Sequence, residues 1–338
     1  MRKKVCLIHT GGTIGMVKTS AGYAPKEGYM KKILEGLTEL QSQEMPDVEL
    51  FEMTPLLDSS NIAVKEWNLI GQYIAEHYDD FDGFVVLHGT DTMAYTASAL
   101  SFMLHNVGKP VVLTGSQIPF SEVRNDARDN LLTALLIAAR DDIYEVCLYF
   151  AGQLLRGVRA SKLSADELVA FVSPNERPLA ECGVFIRTDA KVLLPKPLEA
   201  FYFTPFVQQN IAVLKVFPGI QFDIFKNIFS GELGGIVLEA FGAGNVPTNT
   251  DNGLLEIIEK ARECGTAVVV VTQCLHGTSR PGFYSVSAGL SEQDIIIGHD
   301  LTVEAAVAKL YALLSQGIKG AELKYYMEAP LCGELTPN

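Results

Sequence analysis

Basic residues are scarce in this 338-residue chain: 27 Lys plus Arg stand against 40 Asp plus Glu, a net charge of −13. So acidic a surface repels phosphate backbones, which argues against nucleic acid and anionic membranes as partners. Long apolar runs are missing too. No stretch reaches the ~20 apolar residues of a membrane span. The run Val5–Ile8, after the opening Met-Arg-Lys-Lys, is shorter than the roughly 7–15 apolar residues of a secretory signal core. The six cysteines (Cys6, Cys147, Cys182, Cys264, Cys274, Cys332) form no CxxC pair and are widely spaced. A disulfide scaffold is therefore not expected, and a reducing, cytoplasmic setting is. The histidines show neither HxH nor HExxH spacing, so no metal is expected. The GxGxxG, GxxxxGK[ST] and GxSxG signals of dinucleotide, nucleotide-phosphate and serine-hydrolase sites are absent from the strand ends.

What is present is enough apolar sequence, 48% hydrophobic with 20% charged, for a large core and about two domains. Strand-like and helix-like segments alternate from the start. VCLIHT (5–10), VELFEMT (48–54, stopped by Pro55), FVVLHG (84–89), PVVLTG (110–115) and EVCLYF (145–150) read as strands. Residues 29–41, 64–78, 93–106 and 128–140 read as helices, Trp67, Ile70 and Ile74 falling at helical spacing. After an irregular stretch (152–188) and a proline-bearing segment (193–206), a second alternation begins: strands 211–217, 235–242 and 266–274, and helices 221–229, 252–264, 302–316 and near 320–328. Short strands between long helices imply mostly parallel sheets. The fold expected is two α/β domains: a larger N-terminal domain (1–190) on a mostly parallel sheet, a linker (191–210), and a smaller Rossmann-like C-terminal domain (211–338).

Ligands of open α/β sheets bind at the carboxyl ends of the strands. In the first domain those positions read Thr10-Gly11-Gly12-Thr13, Pro55-Leu56-Leu57-Asp58-Ser59-Ser60, His88-Gly89-Thr90-Asp91-Thr92 and Thr114-Gly115-Ser116-Gln117. All four carry small hydroxyl residues or glycine. Taken singly, each is ordinary turn and helix-cap chemistry. Taken together they place two threonines, Thr13 and Thr90, at corresponding positions of one sheet. A threonine hydroxyl is a weak nucleophile and needs an activating partner.

Two of these loops carry a resemblance. Leu7-x-x-Thr10-Gly11-Gly12-Thr13-Ile14-Gly15 and Gly83-x-Val85-x-x-His88-Gly89-Thr90-Asp91-Thr92-Met93 are similar to the two signature motifs of the asparaginase/glutaminase family, and order, separation and chain length resemble its cytoplasmic type I branch. The resemblance implies hydrolysis of L-asparagine to L-aspartate and ammonia without a cofactor, with Thr13 as the favoured nucleophile. It further implies Tyr23 as the phenol assisting Thr13, and Thr90, Asp91 and Lys162 as a second triad. Read without the family, Lys162 belongs to a solvated basic stretch, Arg156–Lys162, and Tyr23 is an ordinary loop aromatic. Asp58 and Ser59 are the implied substrate-binding pair, Asp58 and Asp91 suiting the ammonium and Ser59 the carboxylate. A homo-oligomer, a tetramer or dimer, is implied, with Asn245 the candidate for a contribution from a neighbouring subunit. Some members also bind asparagine as an effector, using a Cys that matches Cys274 and an Arg at a strand end. Here Glu239 stands at that Arg position and would repel a carboxylate, so homotropic activation is expected to be weak, unless a nearby cation such as Arg280 compensates. Glutaminase activity and non-catalytic ligand binding on the same fold remain the alternatives.

Overall fold

The computed structural model describes residues 2–20, 22–225, 232–247, 253–280 and 295–336. The chain divides into two units, Met1–Pro205 and Phe206–Asn338. In the first, eight strands form one sheet: β1 (Lys4–Gly11), β2 (Asp47–Leu57), β3 (Gly83–Leu87), β4 (Val111–Thr114), β5 (Val146–Phe150), β6 (Gln153–Arg156), β7 (Ala180–Cys182) and β8 (Ile186–Thr188). Their spatial order is β8-β7-β6-β5-β4-β3-β1-β2. The strands β2, β1, β3, β4 and β5 run parallel, while β6, β7 and β8 add antiparallel pairs. All five residues of β3 and of β5 are buried, as expected of strands covered on both faces.

The connecting helices are α1 (Tyr29–Gly36), α2 (Val64–Glu76), α3 (Met93–Met103) and α4 (Ala127–Ala138). Nine residues of α3 are buried, which its nearly continuous apolar and small composition requires. Two differences from the sequence reading have local causes. The helix expected to reach residue 41 ends at Gly36, and Leu37 turns to extended backbone before a short 3-10 turn, Thr38–Gln41. The strand expected to stop at Pro55 continues to Leu57, with an irregularity in its pairing between His9 and Gly11. Because β2 is an edge strand, a residue without an N–H is tolerated there.

The segment expected to be a linker stays with the first unit as far as Pro205. Phe201 stacks on Tyr78 with ring centroids 3.7 Å apart, Tyr202 stacks on His105, and Tyr202–Phe203 pairs with Leu104–His105. The second unit holds a parallel sheet in simple order, β9 (Ile211–Lys215), β10 (Gly235–Ala240), β11 (Ala267–Thr272) and β12 (Ile296–Ile297), with helices α5 (Leu254–Glu263), α6 (Val303–Ser315) and α7 (Gly320–Glu328). Of the helix expected at 221–229, Phe222–Phe225 forms a 3-10 turn; residues 226–229 lie outside the described residues.

Candidate active site

The chain leaves β1 for β2 on one side and returns to β3 on the other. The crevice beyond the carboxyl ends of β1 and β3 is therefore the switch point of the sheet, where ligands of open α/β folds bind. A cavity of about 200 Å3 lies there, lined by Gly12, Thr13 and Met16 after β1, Asp58 and Ser59 after β2, Gly89, Thr90 and Asp91 after β3, Gln117 after β4, and Lys162 and Ala165.

Glycine is what lets the loops meet. Gly12 has φ +80°, and a Cβ there would fall 2.4 Å from the Gly89 nitrogen. One on Gly89 would fall 2.5 Å from Ser59 Oγ. Any side chain at either position pushes the loops carrying Thr13, Thr90 and Ser59 apart.

Most hydroxyls at these strand ends are committed to structure. Thr10 donates to the Leu87 carbonyl, Thr92 to that of Ser59, Thr114 to that of Tyr149, and Ser116 to that of Ile118. The Thr13 and Ser59 hydroxyls are not consumed in this way among the described residues, and both residues line the cavity. Thr90 has the second distinct environment. Lys162 Nζ donates to Thr90 Oγ1 at 2.9 Å and to Asp91 Oδ1 at 2.6 Å, and Thr90 Oγ1 donates to Gln117 Oε1 at 3.3 Å. Helix α3 begins at Met93 with no acidic residue in its first turn, so the positive end of its dipole stands beside Thr90 and Asp91.

Lys162 reaches this position on a buried scaffold, which corrects the reading of Arg156–Lys162 as a solvated stretch. The Arg156 and Arg159 side chains are each only 4% exposed. Arg156 Nε donates to Glu145 Oε2 at 2.6 Å, and its Nη1 to both oxygens of Glu176 at 2.7 and 2.8 Å. Burial pushes the Glu176 carboxyl up from its ordinary value while Arg156 and Arg159 pull against it. The chain then makes a 3-10 turn at Gly157–Arg159, and Ser161–Lys162 pairs antiparallel with Phe171–Val172. Charged groups so buried persist only as a matched set.

Of the other residues singled out in the sequence, Asp58 uses Oδ1 to cap the turn Ser59–Asn61, accepting from Ser60 N at 2.9 Å and Ser60 Oγ at 2.8 Å, and still lines the cavity. Tyr23 is not among the lining residues. It sits on the hairpin Met16–Thr19/Gly22–Pro25 and donates to Glu122 Oε1 at 2.5 Å, which raises its phenol above the ordinary range. Asn245 closes a backbone bridge with Phe241 in the second unit, its side-chain oxygen buried without a partner among the described residues. Cys274 is an exposed free thiol. Among the described residues Glu239 pairs with Lys215, Nζ lying 3.5 Å from Oε1. Among the described residues no cluster of His, Cys, Asp and Glu is arranged to hold a metal. Gln117, Met16 and Ala165 were not singled out as site residues. Only the place of Gln117 at a strand end, in Thr114-Gly115-Ser116-Gln117, pointed toward the cavity.

His88, inside the second motif, faces away from the cavity. Trp67 Nε1 donates to Thr96 Oγ1 at 3.0 Å, the same oxygen lies 2.9 Å from His88 Nε2, and His88 Nδ1–H donates to the Gly89 carbonyl at 2.8 Å. Burial keeps the imidazole neutral, so with its hydrogen on Nδ1 the ring accepts at Nε2 from the Thr96 hydroxyl. Burial lowers the His88 pKa from 6.5 to about 4. The unfolded chain therefore binds the proton first as pH falls. The His88 contribution to stability is complete above pH 6.5 and declines between 6.5 and 4 by about 3 kcal/mol. Denaturant midpoints measured across that range should fall more steeply for the parent than for His88→Gln; parallel slopes would remove His88 as the cause.

The chain resembles known proteins along almost its whole length. Residues 4–193 match the family model described as "Asparaginase, N-terminal", and residues 210–327 match "Glutaminase/Asparaginase C-terminal domain". The chain is 43% identical over 337 residues to L-asparaginase 1 of Escherichia coli K12, covering 100% of this chain and 99% of that one. It is 34% identical to L-asparaginase of Thermococcus kodakarensis, with 98% and 99% covered. Among solved structures, L-asparaginase I of Vibrio cholerae superposes with a TM-score of 0.91 at 44% identity, with 100% of both chains covered.

Proposed function

From the premise that the chain belongs to the asparaginase family and is an amidohydrolase converting L-asparagine and water to L-aspartate and ammonia, we propose that the cavity at the ends of β1–β4 is where it does so, through a threonine ester. Thr13 Oγ attacks the side-chain amide carbon. The C–N bond breaks, and nitrogen leaves as ammonia carrying the threonine proton. Water then attacks the ester, releasing aspartate and returning the proton to Thr13. Thr90 and Lys162 serve the second half by orienting that water, and Lys162 with the positive end of α3 opposes the charge developing on the carbonyl oxygen. Asp58 and Asp91 face the substrate ammonium, and Ser59 faces its carboxylate. For Tyr23 to assist Thr13 its hydroxyl must leave Glu122, to which it donates in this structure, and turn to the cavity. The single observation that carries this reading is the contact of Lys162 Nζ with both Thr90 Oγ1 and Asp91 Oδ1 inside a cavity that also holds Thr13.

The test is ammonia release from asparagine and from glutamine side by side over a wide concentration range. Release from asparagine with a hyperbolic rate curve is expected. Glutamine, one methylene longer, should be disfavoured by about 10–200-fold in kcat/KM. Equal rates on both amides would make the specificity reading wrong, and a sigmoidal curve abolished in a Cys274 variant would contradict the weak-activation reading of Glu239. The assembly we propose is a homo-oligomer, a tetramer built as a dimer of dimers, with Asn245 contributed across subunits; sedimentation velocity tests it. The location proposed is cytoplasmic, supported by six cysteines that form no disulfide. No helix among the described residues is long and apolar enough to cross a membrane.

A further inference from the structure

Gln117 stands between Thr90 and the outer wall of the cavity, and its amide has only one consistent orientation. Nε2 donates to the Glu167 carbonyl at 3.0 Å, which directs Oε1 at Thr90 Oγ1. A carbonyl only accepts, so in this contact the Thr90 hydroxyl must be the donor. The opposite amide orientation would set an NH2 group against the Thr90 oxygen and the amide oxygen against the Glu167 carbonyl, oxygen facing oxygen. The loop carrying Gln117 is held from behind. Gln117 N and Ile118 N donate to the two carboxylate oxygens of Asp126 at 3.0 and 2.9 Å, and Asn130 Nδ2 donates to Asp126 and to the Gly115 carbonyl.

With its hydrogen on Gln117, Thr90 Oγ1 has two lone pairs left. One accepts from Lys162 Nζ at 2.9 Å; the other is available to the cavity that Thr90 lines. We propose that Gln117 is a positioning residue that fixes the polarity of Thr90, making its oxygen an acceptor toward the cavity and toward Lys162 instead of a donor. This inference rests on the reading of Thr90 and Lys162 as catalytic. An acceptor at that place takes a hydrogen from the water that hydrolyses the ester, leaving a lone pair of the water turned to the acyl carbon. A freely rotating hydroxyl would instead donate to that water and turn the lone pair away. Gln117 also ties the loop Leu163–Ala170 to the cavity floor, since Glu167 and the lining residue Ala165 belong to that loop. A tether and a polarity device predict different kinetics: loosening a wall weakens substrate binding, whereas loss of hydroxyl orientation slows turnover of bound substrate.

The experiment uses the full chain with Gln117→Met, which keeps length without an acceptor, and Gln117→Glu. Steady-state ammonia release from L-asparagine is measured from pH 4.5 to 8, with thermal midpoints recorded to verify folding. For Gln117→Met the expected result is kcat lower by about 10- to 100-fold, the loss of one oriented hydrogen bond, with KM within about threefold. The carboxyl introduced by Gln117→Glu reproduces both amide contacts while it is protonated. Once ionised, it is repelled by the Glu167 carbonyl and competes for the Lys162 ammonium. The kcat of Gln117→Glu relative to the parent should therefore be highest at the acid end and fall as pH rises. A kcat within twofold of the parent for Gln117→Met, a change confined to KM, or a pH-independent ratio for Gln117→Glu would each overturn the proposal. Lys162→Met, run alongside, separates the two levels: if it stays active, the catalytic reading of the site has failed, and if it is inactive while Gln117→Met is normal, only this inference has.

Discussion

Lys162→Met is expected to lower kcat for ammonia release from L-asparagine by at least about 10³-fold while the protein stays folded. Methionine keeps most of the stem volume and removes the ammonium that bridges Thr90 Oγ1 and Asp91 Oδ1. The lysine side chain is 20% exposed and outside the apolar clusters, so its loss should shift the thermal midpoint little. Thr90→Val should produce a loss of the same size, and the double variant should be no worse than either single one, because groups that act as one unit are not additive. Thr13→Ala should also cost at least about 10³-fold. If Thr13 carries the ester and Lys162 serves its hydrolysis, intact-protein mass spectrometry of Lys162→Met mixed with asparagine should show an aspartyl adduct, absent when Thr13 is also replaced. Near-normal turnover by Lys162→Met would return it to the status of a surface lysine, and an adduct that persists without Thr13 would reassign the nucleophile.

The largest effect on stability is expected far along the chain, at Lys309. Its side chain and that of Glu334 are both fully buried, with Nζ 2.5 Å from Glu334 Oε1. Nζ also donates to the Met327 and Ala329 carbonyls at 3.0 and 2.6 Å. Glu334 in turn accepts from the Leu331 and Cys332 amides. One ion pair thus fastens the segment after α7 to the middle of α6. Burial lowers the Lys309 pKa, and Glu334 opposes that shift. Lys309→Met would leave a buried carboxylate without its cation and two carbonyls without their donor, a loss of about 3–5 kcal/mol. For a unit of this size that corresponds to a calorimetric midpoint lower by roughly 10–20 °C. Replacing both partners, Lys309→Met with Glu334→Leu, should recover much of the loss, because no unpaired charge remains. A Lys309→Met midpoint within 2 °C of the parent would show that the pair contributes little.

Features set by neighbours a few residues away were legible in the sequence. The alternation of strands and helices was readable because runs such as Phe84–Leu87 and Val111–Leu113 are apolar without a break, which only a doubly covered strand or a buried helix accommodates, and their length decides for the strand. The Gly11-Gly12-Thr13 and His88-Gly89-Thr90 loops were readable because a chain leaving a strand into a close approach must place glycine there. Element ends were less so: Pro55 stops a central strand but not an edge strand, and β2 becomes an edge only in the sheet order.

By itself, then, the sequence determined the class of fold, the two motifs and their pairing at one sheet edge, because backbone preference and hydrophobic pattern act locally. Tertiary structure alone decided which polar groups are committed to holding the fold and which line the cavity. Thr10, Thr92 and Thr114 resemble Thr13 and Thr90 in composition and setting, yet backbone carbonyls from other strands, or for Thr92 from the turn after β2, hold them. Arg156 and Arg159 looked solvated until Glu145 and Glu176 enclosed them. Gln117 acquired an orientation only when Glu167 came within 3.0 Å of its amide nitrogen. Lys162 meets Thr90 from 72 positions away in the chain. A charge or an amide takes its role from the partners that desolvate it, and those partners are chosen by the fold rather than by the neighbouring sequence.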